Sequence, residues 1–397
     1  MPSLLQSARR TQPSLLRQLQ VLVEAESPSN HIAALTTCAD LFADIAHSLV
    51  PNIKIRRTRT PHGPILQLDL KLAGLRPKKS QPKELQILVL GHVDTVWPLG
   101  TIRDMPFRLK QERAHGPGVR ACGPGILDMK AGLLMFLHAV KILQQLDQPA
   151  ASARNITLLV VPDEEIGSPS SRPITESLAR RSRLALVLEP GTGLEGRLKT
   201  ARKGIADYTV DIRGRAAHAG VDFAAGASAI LEAAHQIERV AAFTNLARGT
   251  TVNPGLVSGG TATNTIAAAA QIRCDVRISR LRNFAALDRR FRTLPPVDPR
   301  CKISVSGGLN RPPMERTPAI ARLFAHAAAI ADEHLGLSLE ESATGGGSDG
   351  NFTAALGLPT LDGLGAVGEG AHAPTESILL NQIAPRTALL AALLQNL

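Results

Sequence analysis

Residues 85–94, LQILVLGHVD, form an apolar run that stops at Gly91 and is followed by His92 and Asp94. The run is too short for a helix and rich in branched side chains, so it reads as a strand buried on both faces. In extended backbone the i, i+2 spacing puts the imidazole and the carboxylate on one side. Two further apolar runs end in the same way. RNITLLVV at 154–161 leads into Pro162, Asp163, Glu164 and Glu165, and LALVL at 184–188 leads into Glu189. Asp128 opens a segment with an apolar helical face; by itself it would be a helix cap worth about 1 kcal/mol. His372 and Glu376 share the late loop GEGAHAPTE.

His92, Asp94, Asp128, Glu164, Glu165, Glu189 and His372 are imidazoles and carboxylates without a thiolate, a donor set that suits zinc or a similar divalent ion. So many carboxylates crowded together without a cation would repel one another. One ion with three protein donors leaves room for a water. Two ions sharing a carboxylate can clamp both the attacking and the departing oxygen.

Parallel strands linked by helices would bring these endings to one rim of a sheet. Ahead of them, 15–25 and 31–49 read as amphipathic helices, and 53–59 and 65–72 as strands. Residues 113–126 read as a long Gly- and Pro-rich loop in which RAHGPGV is nearly repeated as RACGPGI. A tandem duplication accounts for it, and loops take such additions at small cost in closure entropy; the extra copy is expected to bulge outward. From about Lys199 the texture changes. A strand at 207–213, a helix at 225–242, strands at 256–258 and 271–278, a helix at 283–294 and a strand at 302–306 give the order β-α-β-β-α-β, the split βαβ arrangement. The Pro-rich 310–313 marks a return to the first domain, which closes with helices at 318–335 and 382–394.

A chain of 397 residues is too long for a single core, so two domains are expected. Hydrophobic content of 44% and charged content of 20% are ordinary for a globular protein. No membrane-spanning run or signal-type h-region is evident, and the four cysteines are widely spaced, so a cytoplasmic enzyme is expected. The net charge of +11 is spread over scattered basic residues, with one Trp and one Tyr to stack on bases, so nucleic acid is not expected as a partner.

The motifs His92-Val-Asp94-Thr, GPGILDMKAG around Asp128, Pro162-Asp-Glu-Glu165, Glu189-Pro190, Thr344-GGGSD and Gly370-Ala-His372 occur in this order. Together they resemble the dinuclear-zinc metallohydrolases of the aminoacylase/carboxypeptidase family, most of all the glutamate carboxypeptidases that include folate-cleaving enzymes. The resemblance implies an α/β catalytic domain with a mixed sheet and helices on both faces, residues 1–198 and 310–397. It also implies an inserted α+β, ferredoxin-like dimerisation or lid domain, residues 199–309. Asp128 would bridge two metal ions, most simply Zn2+ with Co2+ or Mn2+ as alternatives. His92 and Glu189 would complete one shell and Glu165 and His372 the other. Asp94 would orient His92, Glu164 would be the general base, and the bond after Asp128 would be cis. His218 would help hold the oxyanion, and Arg277, Asn264 and the glycines Gly345, Gly346 and Gly347 would contact the substrate. The implied activity is cleavage of an amide bond beside a free carboxylate, releasing a C-terminal glutamate or similar amino acid, by a homodimer. N-acyl amino acid deacylation or desuccinylation is an alternative with the same machinery, and a catalytically idle metal-binding relative is another.

Overall fold

The computed structural model describes residues 3–72, 85–112, 118–146 and 154–397. Two compact units emerge. Unit 1 comprises Met1–Ala201, Arg316–Thr344 and Ser348–Leu397, and unit 2 comprises Arg202–Glu315 with Gly345–Gly347. The expected joints at 198/199 and 309/310 thus lie a few residues before the observed ones, and Gly345–Gly347 goes with unit 2.

In chain order the elements are α1 (Leu4–Glu24), α2 (Ile32–Leu49), β1 (Lys54–Thr60), β2 (Gly63–Leu72), β3 (Leu85–His92), β4 (Arg108–Glu112) and β5 (Gly118–Cys122). Then come α3 (Ala131–Gln145), β6 (Arg154–Val161), α4 (Arg172–Ala179), β7 (Leu184–Val187) and β8 (Leu198–Arg202). Unit 2 holds β9 (Gly204–Arg213), α5 (Ala229–Ala241), β10 (Thr250–Gly259), β11 (Ala269–Ile278), α6 (Phe284–Arg292) and β12 (Lys302–Arg311). Unit 1 resumes with α7 (Pro318–Leu335), β13 (Glu341–Thr344), α8 (Gly350–Ala355), β14 (Thr360–Leu361), β15 (Gly368–Glu369), β16 (Ser377–Leu379) and α9 (Leu380–Asn396).

The main sheet of unit 1 runs β1-β2-β6-β3-β7-β14. β3 lies parallel to both β6 and β7, whereas β2 is antiparallel to β6, so the sheet is mixed. Register places His92 opposite Val161, which carries the ends of β3 and β6 to the same level. One face packs its leucines, isoleucines and valines into the large core built with α1, α2, α3, α7 and α9. The other face meets Leu178 of α4 and Leu358 in a smaller core. α2 is long and apolar enough to cross a membrane by composition alone, but its Leu35, Cys38, Phe42 and Leu49 are buried in the large core.

The sheet of unit 2 runs β10-β11-β9-β12, all antiparallel, the split βαβ order. α5 and α6 contribute Ala233, Val240, Leu287 and Phe291 to its core, where Phe291 stacks on Tyr208.

Three local readings need correction. α1 begins at Leu4 rather than near Leu15, because Ser3 and Gln6 form a reciprocal cap and the helix tolerates Pro13 at an exposed position. Part of the expected 113–126 loop is strand: β5 pairs with β4 and with β16. The polar sequence of β4 lacks an apolar alternation, so only its partner reveals it. The outward bulge expected of the first copy, at 113–117, and His115 within it lie outside the described residues. β10 extends from Thr250 to Gly259 and not merely over 256–258; a bulge at Pro254 keeps this edge strand in register beyond the imino residue.

Candidate metal centre

Gly91 lets the end of β3 approach α3: a Cβ there would fall 2.5 Å from a Leu133 methyl. The next residue, His92, is buried at 1% exposure. Its Nδ1 donates to the backbone carbonyl of Asp94 at 2.9 Å, with the Asp94 carboxylate 3.4 Å away. That bond selects the tautomer whose Nε2 lone pair is available as a donor atom. Nε2 faces Asp128 Oδ1 at 3.1 Å and Glu189 Oε1 at 3.5 Å.

The Asp94 carboxylate also has a backbone task. It accepts the N–H groups of Glu164 at 3.2 Å and Glu165 at 3.1 Å, and the hydroxyl of Ser29 at 2.8 Å. The end of β3 is thereby tied to the short turn Glu164–Ile166 that follows β6.

Asp128 lies in the turn Ile126–Lys130 ahead of α3, not at the helix cap; its φ of −116° and ψ of 92° are non-helical, and its bond to Met129 is cis. Its two oxygens face different imidazoles. Oδ1 is 3.1 Å from His92 Nε2, and Oδ2 is 3.5 Å from His372 Nε2. The His372 ring is also 3.2 Å from Glu165 Oε1, and its backbone has a φ of 62°. Donor atoms of His92, Asp128 and Glu165 lie within 4.8 Å of one another, as do those of His92, Glu164 and Glu189. Glu164 is thus close enough to be a donor itself.

The field in this cluster is negative. Hydrogen bonding to Asp128 and then Glu165 pushes His372 up to about 10, and His92 is raised well above its usual range because Asp128, Asp94 and Glu189 outweigh its burial. Burial works against an ionised Asp128, yet His372 and His92 hold it far below the usual carboxylate range. Burial raises Glu165. An excess of carboxylate oxygens around two imidazoles is the electrostatic signature of a place for cations. A carboxylate with one oxygen toward each of two imidazoles fits a pair of divalent ions.

The sequence places Glu376 in the loop of His372 and assigns it no role. It is 1% exposed, and both of its oxygens are occupied by donors. Oε1 accepts the backbone N–H of Leu127 at 2.9 Å and of Asp128 at 3.1 Å, while Oε2 accepts Gly125 N–H at 2.9 Å and the Trp97 indole at 2.8 Å. The available signal was an acid four residues beyond His372 with no cation beside it in the sequence. Lys130, also buried, donates to the carbonyls of Leu22 and Ala25 and holds the other side of the same turn.

Within unit 2, His218 and Asn264 come together: Ala219 N–H donates to the Asn264 carbonyl at 2.9 Å, and His218 bridges to Thr265. Both side chains are exposed. Arg277 grips Asp275 through Nε and Nη2 (2.9 and 2.7 Å) and turns Nη1 to the Gly345 carbonyl at 3.5 Å. Arg202 donates to the carbonyls of Gly346 and Gly347, so these glycines present acceptors to that arginine.

Residues 88–396 match peptidase family M20/M25/M40, a span that includes every donor of the cluster. The chain belongs to this family. It is 28% identical over 395 residues to carboxypeptidase G2 of Pseudomonas sp. (strain RS-16), covering 98% of this chain and 90% of that one. Among solved structures it resembles the aminopeptidase PepT from Bacillus cereus with a TM-score of 0.72 at 23% identity, covering 97% of this chain and 98% of that one. It also resembles the YXEP protein of Bacillus subtilis, described as a dinuclear metal binding peptidase, with a TM-score of 0.63 at 14% identity and coverage of 98% and 99%. As an M20 family member the chain is a hydrolase of the metallopeptidase type.

Proposed function

We propose that this M20 family hydrolase cleaves an amide bond beside a free carboxylate, releasing glutamate or a similar amino acid from the C-terminal side. The observation that carries the metal-dependent part is Asp128, whose two oxygens face His92 and His372. The carboxylate preference is supported by near full-length similarity to carboxypeptidase G2 and by Arg277, a forked cation suited to a carboxylate.

His92 and Glu189 would hold one ion, Glu165 and His372 the other, and Asp128 both. Such a pair, zinc in our assignment with cobalt or manganese as alternatives, supplies Lewis acidity and a water acidified to near neutral pH. Glu164 takes the proton of the attacking water and returns it to the leaving amine; this acid–base work contributes roughly 10²–10⁴-fold. Asp94 holds the His92 tautomer and the backbone of Glu164 and Glu165 at once. We assign His218 to the oxyanion, and Arg277, Asn264 and the Gly345–Gly347 backbone to the substrate.

A homodimer is part of the proposal. β10 is an edge strand whose Leu256 and Val257 are more than 60% exposed, and Ile230 and Leu231 of α5 are exposed as well. An apolar edge of this kind is a template for pairing with a second copy. Four free thiols suit a reducing, cytoplasmic setting.

The test is a panel of acyl-glutamates, acyl-aspartates and dipeptides, each with a free and an amidated C-terminal carboxyl, assayed with zinc restored. Turnover of the free acids alone supports the reading. Equal turnover of the amides, or turnover of substrates with a free amine only, refutes it.

A further inference from the structure

The main sheet treats its two faces differently. On the face toward the large core, Leu66, Leu68, Leu70 and Leu72 of β2 lie beside Ile156, Leu158 and Val160 of β6, and the one charged position, Arg154, is buried with its guanidinium on the Leu394 carbonyl. On the opposite face only the upper half is apolar, with Ile65, Leu88, Leu90 and Leu159 under Leu178 of α4. Below that line the same strands turn polar. Register aligns Lys54, Asp69 and Thr157 in one row, and Lys71, Asn155 and Gln86 in the next. α4 has eight residues and ends before it reaches them.

Among the described residues no element covers this half-face, and it is concave. It encloses about 450 Å³, bounded by Lys54 and Arg56 of β1 on one side and by Leu178 and Arg181 on the other. That volume lies within the range of small-molecule sites, roughly 300–1,000 Å³. A face that only needed solvation would mix both signs of charge. Among the described residues, Lys54, Arg56, Lys71 and Arg181 surround one acid, Asp69. Asp69 is already engaged: it accepts from Thr157 at 2.6 Å, from Gln67 at 3.0 Å and from Arg56 at 2.7 Å, and Gln86 donates to Thr157 behind it. The hydrogen bonds of the floor converge on Asp69, and the rim presents cations.

We propose that this recess is a second ligand site, separate from the metal cluster, that binds a small organic or inorganic anion of at least two charges. Phosphate and carboxylate groups share the chemistry that such a rim recognises. Arg56 is held in place by Asp69, and the other cations add attraction that salt weakens.

The experiment is calorimetric titration of the metal-loaded protein with inorganic phosphate and, separately, with citrate, at low and at physiological salt. The wild type is compared with the double variant Lys54→Ala/Arg181→Ala, which leaves every donor of the metal cluster in place. Saturable binding that weakens roughly tenfold or more in the double variant supports the site, since each lost charge-assisted contact is worth about that much. Preference for phosphate points to phosphate esters, and preference for citrate to polycarboxylates. Unchanged affinity in the variant would place the anion elsewhere, the metal cluster included, and overturns the proposal. So does failure of both anions to saturate below about 10 mM. Unfolding temperatures without ligand report whether the variant folds; if it does not, the two single substitutions carry the comparison.

Discussion

Glu376 accepts the backbone N–H of Asp128 at 3.1 Å, so the residue four beyond His372 holds the backbone of the aspartate whose carboxylate faces His372. One buried side chain thereby ties the turn that carries Asp128 to the loop that carries His372. Burial raises the Glu376 pKa while the N–H groups of Gly125, Asp128 and Leu127 and the Trp97 indole oppose the rise.

Replacing that carboxylate tests the relationship. Glu376→Gln puts an NH2 group where donors converge and leaves backbone N–H groups unpaired, at about 1–3 kcal/mol. Metal affinity is expected to fall roughly 10- to 100-fold, as for other groups that orient ligands. Metal retained after dialysis, measured by atomic emission beside a thermal melt, checks both; unchanged retention removes the positioning role.

Glu164 and Glu165 are neighbours with different assignments. Glu164→Ala is expected to reduce turnover roughly 10²–10⁴-fold with two metal equivalents retained. Glu165→Ala should lose an ion. Equal metal loss in both variants would make Glu164 a ligand, which its distance from His92 and Glu189 also permits.

Arg277 is assigned to the substrate carboxylate. Arg277→Ala is expected to raise KM about tenfold or more for free-acid substrates and to leave any residual turnover of amidated analogues unchanged. A rise of the same size for both substrates would show that the variant merely disturbs the Asp275 pair.

His138 makes a pH prediction remote from the cluster. The ring is fully buried in α3, donates from Nε2 to Gln18 at 2.8 Å, and leaves Nδ1 without a partner among the described residues. Burial, with Lys141 adding to it, depresses its pKa to about 4. The folded value lies below the unfolded one near 6.5, so the unfolded chain binds the proton first as pH falls. The contribution to stability is complete above about pH 6.5 and is lost between there and about pH 4, on the order of 3 kcal/mol. Denaturant midpoints across that window should flatten in His138→Gln relative to wild type; parallel curves would exclude His138 as the source.

Much of this protein was legible locally. The apolar strands ending at His92, Glu164–Glu165 and Glu189, the helix at Pro318–Leu335 and the β-α-β-β-α-β order of unit 2 follow from short-range alternation and helical spacing, which the chain displays residue by residue. Residue type limits which ions can bind, so the sequence also points to a donor set for a divalent ion. β4 was not legible, because a polar strand is defined by the neighbour that pairs with it.

The sequence by itself determined the kind of chemistry and the family, through residue types in a fixed order. Only tertiary structure decided which atoms meet: the two oxygens of Asp128 on two imidazoles, Asp94 on the backbone of Glu164 and Glu165, Glu376 beneath Asp128, and Asp275 on Arg277. Apart from the Asp275–Arg277 pair, these are contacts between residues far apart in the chain. Strand register and loop path set them, and neither leaves a periodic trace in the sequence.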